Sequence, residues 1–227
     1  MAVPTPNPEL LRSLGRLVRG LSTLFWGLPV ALVACLQTLK TDALHTFGIL
    51  PPLGVSAWLL FGVWEMGHFQ RQERVWAAAL EQTRLLGLIN VGLSPFVFFW
   101  NRMPHDPFYN QMLLLLMVTG VLFLCSLNVM LVRLTAMLPD EMLRSETRHF
   151  AALNRGLFLT GLILTLGYIG LRQASVLPPT VIAGLITLER LSLWLTVSFV
   201  LLPLAITMAL IWKIKESILC GVFGGKR

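Results

Sequence analysis

Long hydrophobic stretches alternate with short polar gaps along almost the whole chain. A helix rises about 1.5 Å per residue, so roughly 20 apolar residues are needed to cross about 30 Å of hydrocarbon. Six stretches approach or exceed this length, and we therefore predict an all-α integral membrane protein with six transmembrane helices. The predicted spans cover residues 21–39, 47–64, 85–100, 111–134, 156–171 and 180–212.

Three of these spans contain an internal proline, namely Pro29, Pro95 and Pro203. Proline removes a backbone donor and crowds the preceding turn, so each residue predicts a kink. Such prolines are common in membrane helices, and a packing role is the favoured interpretation.

The cations are distributed unevenly between the gaps. Fourteen of the eighteen Lys and Arg residues fall into the first, third and fifth gaps and the tail. Short cytoplasmic loops are enriched in cations, so we predict cytoplasmic N and C termini in a bacterial inner membrane. The fourteen are Arg12, Arg16, Arg19, Arg71, Arg74, Arg84, Arg133, Arg144, Arg148, Arg155, Lys213, Lys215, Lys226 and Arg227.

The segment before the first span has an amphipathic helical pattern. Asn7 is a capping residue, and Pro8 and Glu9 suit the first helical turn. Leucines then share one face and arginines the other, which predicts an interfacial amphipathic helix. The chain is thus divided into an N-terminal arm and interfacial helix (1–20), a six-span domain (21–212) and a basic cytoplasmic tail (213–227).

The final apolar stretch is too long for one perpendicular crossing, since 180–212 would form about 50 Å of helix. Glu189 and Arg190 interrupt it and form an outer-leaflet charged pair. Two arrangements fit: a re-entrant segment in the outer leaflet followed by the sixth span, or one tilted helix. The first is favoured, because a charge at membrane depth must face protein or water.

Composition supports the membrane assignment. Hydrophobic residues make up 56% of the chain and charged residues only 13%, with a mean hydropathy of +0.74. The net charge of +7 comes from cations dispersed at span ends, where we expect them to contact anionic lipid headgroups rather than nucleic acid. The three cysteines lack the spacing of a disulfide framework or a metal quartet.

Two predicted cytoplasmic gaps repeat a Glu-x-x-His pattern, at Glu65 and His68 and at Glu146 and His149. Helices carrying this pattern can build a di-iron or di-manganese centre, and paired histidines can hold haem. The favoured interpretation is an ordinary intrahelical contact with no cofactor expected. Iron, manganese or haem is the alternative, with Glu73 or Glu81 as a third carboxylate of the metal centre and Glu141 as a fourth.

Polar side chains from five predicted spans share one level near the cytoplasmic side. They are Glu65, His68, Asn90, Asn128, Thr23 and Thr160. Polar groups in hydrocarbon must face one another or water. These residues therefore predict either interhelical hydrogen bonds, which is the favoured interpretation, or a ligand-binding vestibule.

No hydrolase, nucleotide-binding or zinc-protease motif occurs in the sequence. In layout alone, the predicted topology is similar to permeases of polysaccharide-type ABC exporters, although a Gly-Thr turn after the second span is missing. We predict a non-catalytic subunit of a transport or other membrane complex that docks a partner through residues 65–84 and 135–155. The alternatives are a redox or metal enzyme and a lipid-facing accessory subunit with no ligand site.

Overall fold

The protein is an antiparallel bundle of helices in a computed structural model. The structure describes residues 8–40, 47–69, 73–138, 140–173, 178, 184, 187–191, 194–195 and 197–223. Every regular element in these ranges is helical, which confirms the all-α class. The helices are α1 (Pro8–Lys40), α2 (Leu50–Met66), α3 (Arg74–Leu93), α4 (Pro95–Arg102), α5 (Pro107–Ala136), α6 (Glu141–Gln173) and α7 (Leu202–Phe223), with a π-helical turn (Val197–Leu201) before α7.

Five segments in the described part of the chain are long and apolar enough to cross a membrane. The remaining predicted span corresponds to α2, which has 17 residues and would be about 26 Å long. The polytopic membrane character of the chain is therefore supported. The five are Leu11–Leu39, Arg74–Arg102, Pro107–Ala136, Glu141–Leu171 and Val197–Cys220.

Neighbouring helices run antiparallel, so the start of one helix lies beside the end of the next. We call one end of the bundle the basic end; it contains the starts of α1, α3 and α6 and the ends of α2, α5 and α7. The opposite end is called the far end. The cations of the described helices at the basic end include Arg12, Arg16, Arg19, Arg74, Arg133, Arg144, Arg148, Lys213 and Lys215.

The first helix passes through the predicted boundary at residue 20 without a break. Leu17, Leu21 and Leu24 are fully buried at helical spacing and form one stripe across this boundary. Gly20 lies in the middle of the helix and does not end it. The absence of a side chain at this position allows α1 to pack closely on α2. The separate interfacial helix is thus replaced by a continuous α1, although the predicted amphipathic pattern is present. Its arginines, Arg12, Arg16 and Arg19, are exposed.

Small residues bring α1 and α2 together. A Cβ atom at Gly20 would lie 2.6 Å from Met66 Cγ and 2.7 Å from the Gly62 carbonyl oxygen. A Cβ atom at Gly62 would lie 3.2 Å from Thr23 Cβ. Membrane helices gain van der Waals contact when small residues allow their backbones to approach in this way.

The predicted effects of the prolines differ between helices. Pro95 separates α3 from α4, and Pro203 is buried directly after the π-helical turn. Both irregularities are expected where a residue cannot donate a backbone hydrogen bond. In contrast, α1 continues through Pro29.

The two predicted cytoplasmic gaps are mostly helix. Residues 74–84 belong to α3 and residues 141–155 to α6, so these spans begin earlier than the apolar pattern predicts. The tail is also helical as far as Phe223. In the predicted re-entrant segment, residues 187–190 are helical, whereas 180–183 and 185–186 lie outside the described residues. Asn7 and residues 224–227 also lie outside the described residues.

Candidate ligand cavity

A partly open cavity of about 610 Å³ lies between the helices, and each of α1 to α7 contributes to its wall. Pockets for small molecules usually have volumes of about 300 to 1,000 Å³ and mainly apolar walls. On α6 the wall extends from Phe158 to Tyr168, which is about 15 Å along the helix axis. The cavity therefore has the size and length of a site for an extended apolar molecule.

Three apolar side chains line the cavity at its deepest level toward the basic end. They are Leu124 of α5, Phe158 of α6 and Leu204 of α7. Each lies one helical turn from a fully buried polar residue, respectively Asn128, Asn154 and Thr207. We call the first three residues the floor and the second three the polar triad. The triad therefore joins α5, α6 and α7 just beneath the floor.

The polar triad is connected by side-chain hydrogen bonds. The amide Nδ2 of Asn154 donates to Thr207 Oγ1 over 2.7 Å and to Asn128 Oδ1 over 3.2 Å. Asn128 Nδ2 donates to the Leu124 carbonyl oxygen over 2.8 Å and lies 3.3 Å from Thr207 Oγ1. Thr207 in turn donates to the Pro203 carbonyl oxygen over 2.9 Å. Asn154 Oδ1 is buried and has no hydrogen-bond partner among the described residues.

Another buried polar contact joins α3 to α5. The hydroxyl oxygens of Thr83 and Ser126 lie 2.7 Å apart. Thr83 Oγ1 is also 2.8 Å from the Ala79 carbonyl oxygen, to which it donates. A hydrogen bond between side chains thus links α3 to α5 on the basic side of the cavity.

The cavity wall carries its own polar groups. Asn90 of α3 lines the cavity, and its Oδ1 accepts a hydrogen bond from Thr119 Oγ1 of α5 over 2.7 Å. Nearer the far end, Tyr168 donates its hydroxyl hydrogen to Glu189 Oε1 over 2.7 Å. Both Tyr168 and Glu189 line the cavity, so its polar groups lie at middle and far levels rather than at the floor.

The residues of the predicted vestibule occupy several different places. Asn90 lines the cavity, whereas Asn128 lies in the polar triad beneath it. Thr23 donates to the Arg19 carbonyl oxygen at the interface of α1 and α2, and Thr160 is exposed. Among the described residues of this set, only Asn90 belongs to the cavity wall.

The predicted Glu-x-x-His pairs have different local structures. His68 follows the end of α2, and its Nδ1 lies 3.3 Å from the Glu65 carbonyl oxygen. Glu146 Oε2 lies 2.6 Å from Lys213 Nζ, and His149 is exposed. In the described ranges, no three His, Cys, Asp or Glu residues are placed to share a metal ion.

The predicted charged pair lies at the far end of the cavity. Glu189 contacts Tyr168 and lines the cavity, while the neighbouring Arg190 is exposed. Glu189 is itself exposed, so both residues of the predicted pair lie at the surface of the protein.

Sequence reasoning missed Asn154, Thr207, Thr119 and Tyr168. A signal for part of this set was present in α6. Its residues Thr147, Asn154, Gly161 and Tyr168 recur every seven positions, with Ala151, Phe158 and Thr165 between them. This spacing of three and four places all seven on one helix face. The pattern was obscured because polar and small residues replace the usual apolar ones.

In comparisons of the chain with protein-family models, curated proteins and solved structures, no match was found.

Proposed function

We propose that this protein is a non-catalytic membrane subunit that binds an apolar or amphipathic molecule from the bilayer, as part of a transport complex or another membrane complex. The observation that carries this proposal is the cavity of about 610 Å³, walled by all helices of the bundle. Its wall is mainly apolar, with a few polar side chains at defined levels, as in most small-molecule sites. A lipid-facing accessory subunit would instead be expected to have a filled interior.

The helix irregularities support a cavity that belongs to the fold. Pro29 adjoins the wall residue Leu28, Pro95 adjoins Ser94, and Pro203 adjoins Leu204. Pro95 and Pro203 accompany irregularities beside wall residues, whereas α1 continues through Pro29. Two helices of the cavity wall are therefore irregular next to wall residues, Pro95 beside Ser94 and Pro203 beside Leu204.

Gly120 provides a direct test of ligand binding. It lines the cavity, and a Cβ atom built on it meets no atom within 4 Å. A leucine at this position would project into the cavity without displacing the fold. Gly92 is the matched control, because its Cβ would also meet open space and it lies outside the described wall.

The expected result is that wild-type protein purified in a mild detergent carries a co-purifying amphiphile detectable by native mass spectrometry. Gly120→Leu should reduce its occupancy at least about tenfold, whereas Gly92→Leu should leave it unchanged, because only the first leucine fills the site. Equal occupancy in both variants, or an empty wild-type protein that takes up no added long-chain ester or ether, would refute the proposal.

The proposed topology has six spans, with both termini on the cytoplasmic side of a bacterial inner membrane. The concentration of cations at one end of the bundle supports this orientation. Met142 and Met103 are exposed residues at the basic and far ends. In a cysteine-free protein, Met142→Cys should react with a membrane-impermeant maleimide only in inverted vesicles, and Met103→Cys only in intact cells. Labelling of both from one side would exclude the arrangement.

A second proposed role is docking of a cytoplasmic partner through residues 65–84 and 135–155. Support comes from Met142, which is 74% exposed in the first turn of α6. A photo-crosslinking residue at Met142 should capture one protein in native membranes with near-complete yield. The same residue at Ile163, also exposed, should capture only lipid. Capture of no protein from position 142 would contradict docking at this surface.

The metal or haem alternative uses Glu65, His68, Glu146 and His149. It is separable from ligand binding by elemental analysis and an optical spectrum of the purified protein. Stoichiometric iron, manganese or haem would favour the alternative over a non-catalytic subunit.

A further inference from the structure

The hydroxyl groups of the cavity wall already use their hydrogens within the protein. Ser56 donates to the Pro52 carbonyl oxygen over 2.7 Å, and Ser94 donates to the Val91 carbonyl oxygen over 2.8 Å. Thr165 donates to the Gly161 carbonyl oxygen over 2.8 Å. These hydroxyl groups can therefore accept hydrogen bonds from a ligand, but they have no hydrogen left to donate.

Asn90 differs from these residues because its Oδ1 accepts from Thr119 Oγ1, which leaves the amide N–H groups of a wall residue as donors. Thr119 Oγ1 lies 2.7 Å from Asn90 Oδ1, closer than to the Leu115 and Leu116 carbonyl oxygens at 3.0 and 3.1 Å. The hydroxyl thus fixes the amide with its oxygen toward α5. Asn90 Nδ2 has two N–H donors and no acceptor in the described protein.

An amide N–H group in an apolar cavity is costly unless it finds an acceptor. The acceptor must also fit the apolar surroundings. A carbonyl oxygen meets both requirements, since it accepts strongly and brings no hydrogen that needs a partner of its own. An alcohol or an amine would in addition have to place its hydrogen on one of the wall hydroxyl oxygens, which a carbonyl does not require.

Asn90 also lies at a defined height in the cavity. Its partner Thr119 is five residues from the floor residue Leu124 on α5, or about 7 Å along the axis. The wall between these levels includes Val121 and Phe123. A ligand with its carbonyl at Asn90 would therefore have several carbons of apolar chain below that group.

We propose that the Asn90 amide binds the carbonyl oxygen of an ester or ketone attached to a long apolar chain. This inference rests on the proposed ligand-binding function and names the chemical class of the ligand. Thr119 is a positioning residue, because it orients the amide. The carbonyl could come from an acyl lipid of the bilayer or from a free long-chain ketone, and these sources share the same recognition chemistry.

The test uses Cys35, which lines the cavity, as the reporter of occupancy. The full chain is studied in nanodiscs of diether phospholipids, which contain no ester carbonyl, with Cys125→Ser and Cys220→Ser, and Cys35 alkylation by N-phenylmaleimide is followed. Methyl palmitate and hexadecyl methyl ether are the probes, since they have similar chains but only the ester has a carbonyl. The ester should half-protect Cys35 at about a 3- to 10-fold lower concentration than the ether.

Asn90→Leu should reduce this ratio to about one by weakening ester binding, while the ether binds as before. Thr119→Val should lower the ratio part of the way, because the amide remains but is no longer held. Unchanged thermal unfolding midpoints would show that both variants fold. A persistent ester preference in Asn90→Leu would overturn the inference.

The outcomes separate the inference from the proposed function. Equal protection of wild-type Cys35 by ester and ether would overturn the role of Asn90 and leave the cavity as a ligand site. Protection by neither probe would overturn ligand binding itself. Mass spectrometry of the molecule that co-purifies with the protein distinguishes the sources: an ester-linked lipid assigns an acyl lipid, and a free long-chain ketone assigns a ketone.

Discussion

The basic half of the bundle and the cavity half are built from the same kinds of residues but packed in different ways. Near the basic end, Trp76, Met66, Leu131 and Ile214 are almost completely buried. Toward the far end the helices surround a cavity of about 610 Å³. Hydrophobicity alone therefore does not determine where the interior of a membrane bundle is filled, because lipid is as apolar as the core.

Glycine has opposite effects at different positions in the bundle. In the basic half, Gly20 and Gly62 lie at the interface of α1 and α2 and allow close packing. In the cavity half, the missing side chain of Gly120 leaves space. The position of a glycine relative to its neighbours, and not its presence in the helix, determines whether it closes or opens the interior.

Replacing Trp76 should have the largest effect on stability. Its ring is 1% exposed, and its Nε1 donates to the Phe69 carbonyl oxygen over 3.1 Å. Trp76→Ala should lower the free energy of unfolding by about 3 to 5 kcal/mol, through lost contacts and an unsatisfied carbonyl. The control Trp26→Ala, at a residue 61% exposed, should cost far less. Reversible unfolding in detergent would measure both, and equal losses would contradict the contrast between packed and exposed rings.

Adding one methyl group at Gly20 should destabilise the basic half. The new Cβ would approach the Gly62 carbonyl oxygen to 2.7 Å, so the backbones of α1 and α2 would have to separate. Gly20→Ala should cost about 1 to 3 kcal/mol. Gly15→Ala, on the same helix but in open space, should not destabilise the protein. A Gly20→Ala protein as stable as the wild type would show that the close approach is not needed.

Removing the hydroxyl of Thr207 tests the polar triad at the boundary between the two halves. Thr207→Val keeps the shape but removes the acceptor used by Asn154 and Asn128. The expected loss is about 1 to 2 kcal/mol. Thr165→Val on the cavity wall should cost less, since that hydroxyl bonds only to its own helix. Thermal unfolding of the two variants should show this order, and the reverse order would count against a structural role for the triad.

The smallest expected effect is a gain in stability within the cavity half. Gly120→Ala adds a methyl group that meets no atom within 4 Å. It should raise the free energy of unfolding by about 0.5 to 1 kcal/mol, because alanine favours the helix over the unfolded chain. Gly20→Ala is expected to lower the free energy of unfolding instead. The two variants together therefore compare a tightly packed glycine with one that faces open space. A loss at Gly120 would mean that the space is smaller than the structure shows.

The sequence predicts the helices better than it predicts their ends. Apolar runs indicate where a helix can enter hydrocarbon, but α3 starts at Arg74 and α6 at Glu141, since polar residues continue a helix beyond an apolar run. Residue 20 was predicted as a boundary because the composition changes there, yet α1 continues through it. The contact of Gly20 with α2 depends on the tertiary structure, which the composition of one helix does not show.

The candidate site was less accessible to sequence reasoning. Asn90 and Asn128 were identified because an amide in an apolar stretch needs a partner. Their partners could not be assigned, since a shared depth does not specify which helices face each other. Thr119 lies opposite Asn90, and Asn154 with Thr207 lies opposite Asn128. The cavity depends on side chains that are small or absent at several helix contacts, which no periodicity of one helix reveals.

The attachment of α6 to its neighbours has a mechanical consequence. Glu146 and Asn154 hold this helix to α7 through Lys213 and Thr207, whereas Tyr168 lies fourteen residues beyond Asn154 at the far end of the cavity. This part of α6 is about 21 Å long. If it tilted by about 10° about the polar triad, Tyr168 would move by about 4 Å. Such a tilt would have to shift Gly161 against Phe199, and it would change the width of the cavity by a distance comparable with the thickness of a hydrocarbon chain.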